Sequence, residues 1–303
     1  MKKIRTGLLI ETMEAAGEAA PKAGIKSSTI KLGACTVTTV DITDPKSAKA
    51  LEREPGRYVT IEMDKAYNVH DDDFENVTNA LADCIKQLAG NSAQGRVLVA
   101  GIGNRDITPD SLGPKCVERI VVTRPYEKSA PELIEKGEYA NVMAISTNVF
   151  GITGIESKEL IGGIAKIINP ELIIVVDALA TSSLNRLCKT IQLSDTPLTP
   201  GGGVDNARGK LDFGKGHKII SIGMPTIIDA MTVVINALDK ANADKDSIEK
   251  AANSALEPYS DSLIAMPTRI DSATDTGAKL IAFAINKALH SDMDTTQILK
   301  YLY

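Results

Sequence analysis

The first 60 residues carry short β-branched runs between turn formers. Thr36-Val37-Thr38-Thr39-Val40 and Tyr58-Val59-Thr60-Ile61 predict strands, and Pro45 and Pro55-Gly56 punctuate them. The spacing then turns helical. Asp71-Asp72-Asp73 supplies acidic capping residues, Phe74, Val77, Leu81, Ile85 and Leu88 fall on one face, and Gly90 is the stop. Next come continuous apolar runs, Val97-Leu98-Val99-Ala100, Leu172-Ile173-Ile174-Val175-Val176 and Ile219-Ile220-Ser221-Ile222, which predict buried strands. Helical patterns around 160–168 and 226–238 alternate with them, as crossover connections in a mostly parallel sheet require. Residues 271–289 and 295–303 predict closing helices. The expected fold is therefore α/β and three-layered, a mostly parallel sheet flanked by helices. One domain is expected over 1–303, with a β-rich part to about 65, an α/β core over about 70–240 and a helical part over about 241–303.

Composition narrows the class. Of the 303 residues 43% are hydrophobic but only 4% aromatic, so the core must be built from Ile, Val, Leu and Ala. A formal net charge of -5 gives no basic balance for phosphate contacts, and no direct nucleic-acid partner is expected. No apolar stretch reaches about 18 residues, and Glu11 and Glu14 interrupt any signal-like run, so neither a membrane span nor a signal peptide is expected. Cys35, Cys84, Cys116 and Cys188 form no Cys-x-x-Cys pair, and His70, His217 and His290 have no ligand spacing. Reduced thiols in the cytoplasm, no metal and no cofactor are the expectation.

Candidate chemistry lies after the apolar strands, because open α/β sheets bind ligands beyond the carboxyl ends of their strands. After Ala100 comes Gly101-Ile102-Gly103-Asn104-Arg105-Asp106-Ile107-Thr108-Pro109-Asp110. It fails as a dinucleotide fingerprint, since Asp106 stands at the third glycine. Thr108-Pro109-Asp110 reads as a helix start, where Asp110 either serves chemistry or simply suits the helix dipole. Asp177 directly follows the five-residue run 172–176; either loop amides satisfy it or it is a carboxyl held at the ligand-binding edge. If these strands are neighbours, the two aspartates face one cleft. Close carboxyl groups cannot both ionise easily, which separates a general base from a general acid. A long loop over 194–208 offers glycines, Gly202 and Gly203 among them, whose amides can face a peptide or oxyanion, or can belong to a plain surface loop. No Gly-x-Ser-x-Gly elbow, His-Glu-x-x-His or phosphate-binding Gly-x-x-x-x-Gly-Lys-Ser/Thr occurs.

Taken together, these segments resemble the germination (spore) protease family of endospore-forming bacteria. The family's Gly-Asn-x-x-Val-Thr-Pro-Asp-Ala-Leu-Gly-Pro is matched by residues 103–114, with Ile107 and Ser111 as substitutions. Thr153-Gly154-Ile155-Glu156 and Asp177-Ala178-Leu179-Ala180 match two further blocks. Residues 190–196 match a third with Leu193 substituted, and 223–230 match a Gly-x-Pro-Thr-x-x-Asp-Ala block. The resemblance implies an aspartic-type endopeptidase with a fold similar to the hydrogenase-maturation peptidases. It implies degradation of small acid-soluble, DNA-protecting spore proteins during germination, in the spore core or forespore cytoplasm, by a homotetramer made as a zymogen, without metal or cofactor. Its catalytic pair falls on Asp110 and Asp177. Asn104, Thr108, Thr153, Glu156, Ser182, Asp195, Gly202 and Gly203 are the expected substrate-binding or supporting residues.

This chain also departs from the pattern. Gly7 stands where the family has Asp, Arg105-Asp106 replace neutral or aromatic residues, a Pro-Gly before the Thr153 block is lost, and Ser182 stands where Arg is common. Arg105 and Asp106 are close enough in sequence to act on the field of Asp110. The departures leave open a silent or retargeted relative that binds small spore proteins or processes another protein.

Overall fold

A computed structural model describes residues 6–64, 72–137, 139–197, 213, 216–240, 250, 254, 263–290 and 293–302. Its strands are β1 (Ile25–Leu32), β2 (Cys35–Ile42), β3 (Gly56–Met63), β4 (Arg96–Ile102), β5 (Asn141–Asn148), β6 (Leu172–Thr181), β7 (Thr190–Ser194), β8 (Lys218–Asp229) and β9 (Ile264–Ala265). All join one sheet in the order β1-β2-β3-β7-β8-β6-β4-β5, with β9 paired to β8. The stretch β8-β6-β4-β5 is parallel throughout. The β-rich amino-terminal part extends it through antiparallel pairs, β7 on β8, β3 on β7, β2 on β3 and β1 on β2.

The three layers follow from alternation along the central strands. Val97, Val99, Leu172, Ile174, Val176, Ile220 and Ile222 bury one face. Against it pack helices Asp72–Ala89, Leu112–Val117 and Ile270–Leu289, with Phe74 edge-on to Phe283 at 5.8 Å. Phe74, Val77, Leu81, Ile85 and Leu88 all belong to this core, as their helical spacing predicts. The in-between residues Leu98, Ala100, Ile102, Ile173 and Val175 bury the other face against Ile161 and Ala165 of helix Ser157–Ile168. A smaller core of Leu9, Val40, Ile42, Ala48, Leu51 and Tyr58 lies under the antiparallel strands.

Two expectations are corrected. The helix read from Thr226 begins at Ala230, because β-branched Thr226, Ile227 and Ile228 continue β8, whose end pairs with β6 and β9. Asp177 does not end its strand. β6 runs on to Thr181, since β8 supplies a partner as far as Ile228.

Candidate active site

The chain leaves β4 for β5 on one side and returns as β6 on the other, so the strand order reverses between β4 and β6. That reversal opens a crevice at the carboxyl ends of the two strands. The sequence delivers one aspartate to it from each side.

From β4 the chain turns at Gly103, whose φ of +118 suits glycine and whose added Cβ would lie 2.0 Å from the Asp110 carbonyl oxygen. The turn therefore closes on itself. The Asn104 backbone N–H donates to Asp110 Oδ2 at 2.7 Å, and the buried Asn104 side chain accepts from the Asp106 N–H at 2.9 Å. Thr108–Asp110 forms a single 3-10 turn. The Thr108 hydroxyl donates to Asp271 Oδ1 at 2.9 Å, and the Ser111 hydroxyl to the Thr108 carbonyl at 2.8 Å. Helix Leu112–Val117 follows, laid so close that a Cβ on Gly113 would meet backbone atoms of both Ile102 and Val176. The Asp110 turn thus sits at the head of β4 and β6 together.

From β6 comes Asp177, 3% exposed, one residue beyond the Gly101–Val176 pair of the β4–β6 ladder. Its Oδ1 accepts the Ala178 N–H at 2.9 Å, and it lies opposite Gly223 of β8. Residue 177 therefore lies level with Ile102 at the end of the β4–β6 ladder, and the turn that carries Asp110 packs against β6. Two carboxyl groups at one crevice, one buried and one half-buried, can divide between them the donation and acceptance of a proton.

Other expected residues scatter around this pair. Asn104 and Thr108 build the Asp110 turn. Thr153 and Glu156 follow β5 at the same edge of the sheet, but their groups serve local structure. The Thr153 hydroxyl donates to the Ile155 carbonyl at 3.0 Å, and Glu156 caps helix Ser157–Ile168 in a reciprocal box with Glu159. Ser182 follows β6, and its N–H and hydroxyl both donate to buried Glu11, at 2.7 and 2.8 Å. Asp195 is not brought to the pair. It follows β7, which runs antiparallel to β8, and its carboxylate accepts the Arg57 N–H at 2.7 Å near the other end of the sheet. Gly202, Gly203 and His70 lie outside the described residues. Large apolar side chains follow β4 and β5 at this edge of the sheet: Ile107, Phe150, Ile152 and Ile155 are each about half exposed.

Arg105 is half exposed, and its guanidinium holds Glu118 at 2.6 and 3.3 Å. Among the described residues no group of three His, Cys, Asp or Glu is placed to hold a metal. His217 Nδ1 lies 2.6 Å from the Pro170 carbonyl oxygen, and His290 is fully buried near Val121. The four cysteines are free thiols, and burial pushes Cys84 and Cys188 each up to about 11. Among the described residues no helix is long and apolar enough to cross a membrane. Three contacts had no signal in spacing: Glu11 with Ser182, Asp271 with Thr108, and the Thr226 hydroxyl with the Pro109 carbonyl at 2.7 Å. Of the partners not among the expected site residues, Glu11, Asp271 and Thr226, the last alone stood inside a matched motif, 223–230.

Residues 9–243 match the family model described as germination protease. A germination protease of Clostridium acetobutylicum is 33% identical, with the whole of both chains covered. One from Clostridium perfringens is 35% identical over 88% of each chain, and one from Caldanaerobacter subterraneus subsp. tengcongensis is 36% identical over 88% of each. Among solved structures, a [NiFe] hydrogenase maturation protease, HycI from Thermococcus kodakarensis KOD1, is similar at a TM-score of 0.37 and 16% identity. That likeness covers 67% of this chain and 98% of that one.

Proposed function

Because this chain belongs to the germination protease family, and is on that ground a peptidase of spore germination, we propose that it cleaves small acid-soluble spore proteins with Asp110 and Asp177 as its acid–base pair. One observation carries the mechanism: Asp177 and the turn that bears Asp110 both follow directly on the end of the parallel β4–β6 ladder, at the point where the strand order reverses. The ionised carboxyl takes a proton from water as the water oxygen attacks the peptide carbonyl carbon. The protonated carboxyl gives its proton to the leaving amine as the C–N bond breaks. The exposed apolar side chains at positions 107, 150, 152 and 155 support a polypeptide substrate, since they offer it apolar contact from the loops that follow β4 and β5. The family likeness further supports a homotetramer in the spore core, for which light scattering of the purified protein should give four chains per particle.

Single-turnover cleavage of a small acid-soluble spore protein, followed by mass spectrometry, tests the proposal. Asp110→Asn and Asp177→Asn should each slow cleavage by about 10²–10⁴. The double variant should be scarcely slower, because groups that act as a unit are not additive. A folded single variant with near-normal cleavage removes the aspartate pair. A wild type that cuts another protein but not this one removes the substrate.

A further inference from the structure

The turn that carries Asp110 is fastened to the sheet by a residue the reaction itself does not use. In the β6–β8 ladder Leu179 pairs with Pro225 and Ala180 with Ile227, so Thr226 is the inserted residue of a β-bulge. It is 1% exposed, and its hydroxyl donates to the Pro109 carbonyl oxygen at 2.7 Å. Bulges recur beside active sites because the inserted residue escapes the ladder and its side chain can be aimed elsewhere. Here it is aimed at the residue immediately before Asp110. Pro109 has no N–H, so its carbonyl is the backbone group through which that point of the turn can be tied. The neighbouring tie, Thr108 to Asp271, lies on the exposed side. β8 also flanks the other carboxyl, since Gly223, three residues before Thr226, lies opposite Asp177. One strand therefore borders Asp177 and holds the Asp110 turn.

We infer that Thr226 is a positioning residue, whose hydroxyl, held out by the β8 bulge, sets where the Asp110 carboxyl stands relative to Asp177. The inference rests on the aspartate-pair reading above. Its cause is geometric. The turn is three residues long, and a loosened carbonyl one residue away lets the carboxyl drift, where a displacement near 1 Å can cost about a hundredfold in rate.

Thr226→Val keeps the shape and removes the hydroxyl, whereas Thr226→Ser keeps the hydroxyl. The Val variant should lower kcat by about 10–100-fold with KM within about twofold of wild type. The two limbs of its pH–rate profile should draw together, because the mutual influence of two carboxyl groups weakens as they part. The Ser variant should keep kcat within about threefold and leave the profile in place. A normal kcat in Thr226→Val overturns the inference. So does a lower kcat with an unmoved profile, which reports less folded enzyme, and so does a change confined to KM. Thermal melts accompany each variant; if Val does not fold, Thr226→Ala against Thr226→Ser is judged by the same outcomes. Asp110→Asn assayed alongside separates the failures. If it stays active, the aspartate pair falls and Thr226 with it; if it is inactive while Thr226→Val is normal, only the role of Thr226 falls.

Discussion

At Gly113 a hydrogen stands where any other residue has carbon, and this lets helix Leu112–Val117 rest on the strand ends. An added Cβ would lie 2.3 Å from the Ile102 carbonyl oxygen, 2.5 Å from its nitrogen and 2.6 Å from the Val176 carbonyl oxygen. All three are backbone atoms, so no rotamer change relieves the clash. Gly113→Ala should destabilise the protein by about 2–3 kcal/mol. Gly163, inside helix Ser157–Ile168, has nothing within 4 Å of such a carbon, and Gly163→Ala should stabilise by about 0.5–1 kcal/mol. Urea unfolding compares the two, and a Gly113→Ala as stable as Gly163→Ala would mean the helix sits further off the sheet. Three of the departures from the family pattern sit in close contacts. A side chain at Gly7 would press on Leu179, 3.1 Å from its Cβ position. Ser182 is bound by Glu11, and Arg105 by Glu118.

At the scale of elements, helix Leu9–Ala16 is stitched to the far end of β6, the strand of Asp177. The Gly7 N–H donates to the Ala180 carbonyl at 2.9 Å, and the Leu9 N–H to Gln192 of β7 at 2.7 Å. Glu11 is the central stitch. It is 3% exposed and accepts from the hydroxyls of Thr6 and Thr181 and from Ser182 twice, which satisfies a carboxylate that water does not reach. Arg186 adds charge nearby. It holds Glu14 at 2.5 and 2.6 Å and Glu62 at 2.7 Å, with Glu11 at 3.9 Å. Glu11→Ala should cost about 2–3 kcal/mol, because it takes the acceptor from the Ser182 N–H and hydroxyl, while Glu11→Gln keeps an acceptor and should cost less. Hydrogen exchange at 180–182 should quicken in the Ala variant; unchanged protection there would mean the helix docks by its apolar side alone.

At the scale of the molecule, acid sensitivity should centre on His290, the cap of helix Ile270–Leu289. Burial lowers its pKa to about 4, against the weaker opposing effect of the Val121 carbonyl. The unfolded value is about 6.5. Above that pH both states are neutral and stability is full. As pH falls from about 6.5 to about 4 the unfolded chain takes a proton the folded chain refuses, so stability drops by about 3 kcal/mol and then levels. Asp41 and Asp44, held below the usual carboxylate range by bonds from Arg57 and Ser47, lose their contributions only in still more acid solution. Urea unfolding at pH 7 and pH 4.5 should show this loss in wild type and little of it in His290→Asn. An equal loss in both would assign the sensitivity elsewhere.

The sequence by itself determined the elements whose burial is periodic: strands β4, β6 and β8 through their apolar runs, and helices Asp72–Ala89, Ser157–Ile168 and Ile270–Leu289 through their faces. It also determined the family, because ordered motifs survive in the chain itself. Tertiary structure decided what spacing does not encode. β5 and β7, broken by Asn, Ser, Thr and Gln, are strands because neighbours pair with them. β6 passes Asp177, and β8 passes Thr226, because each supplies the other's partner. Asp195 falls at the other end of the sheet because β7 runs antiparallel to β8. The contacts that hold the site, Thr226 on Pro109 and Glu11 on Ser182, join residues more than a hundred positions apart. Periodicity reports only whether a residue is buried; which residues meet is set by strand order and register, which exist only once the whole sheet has closed.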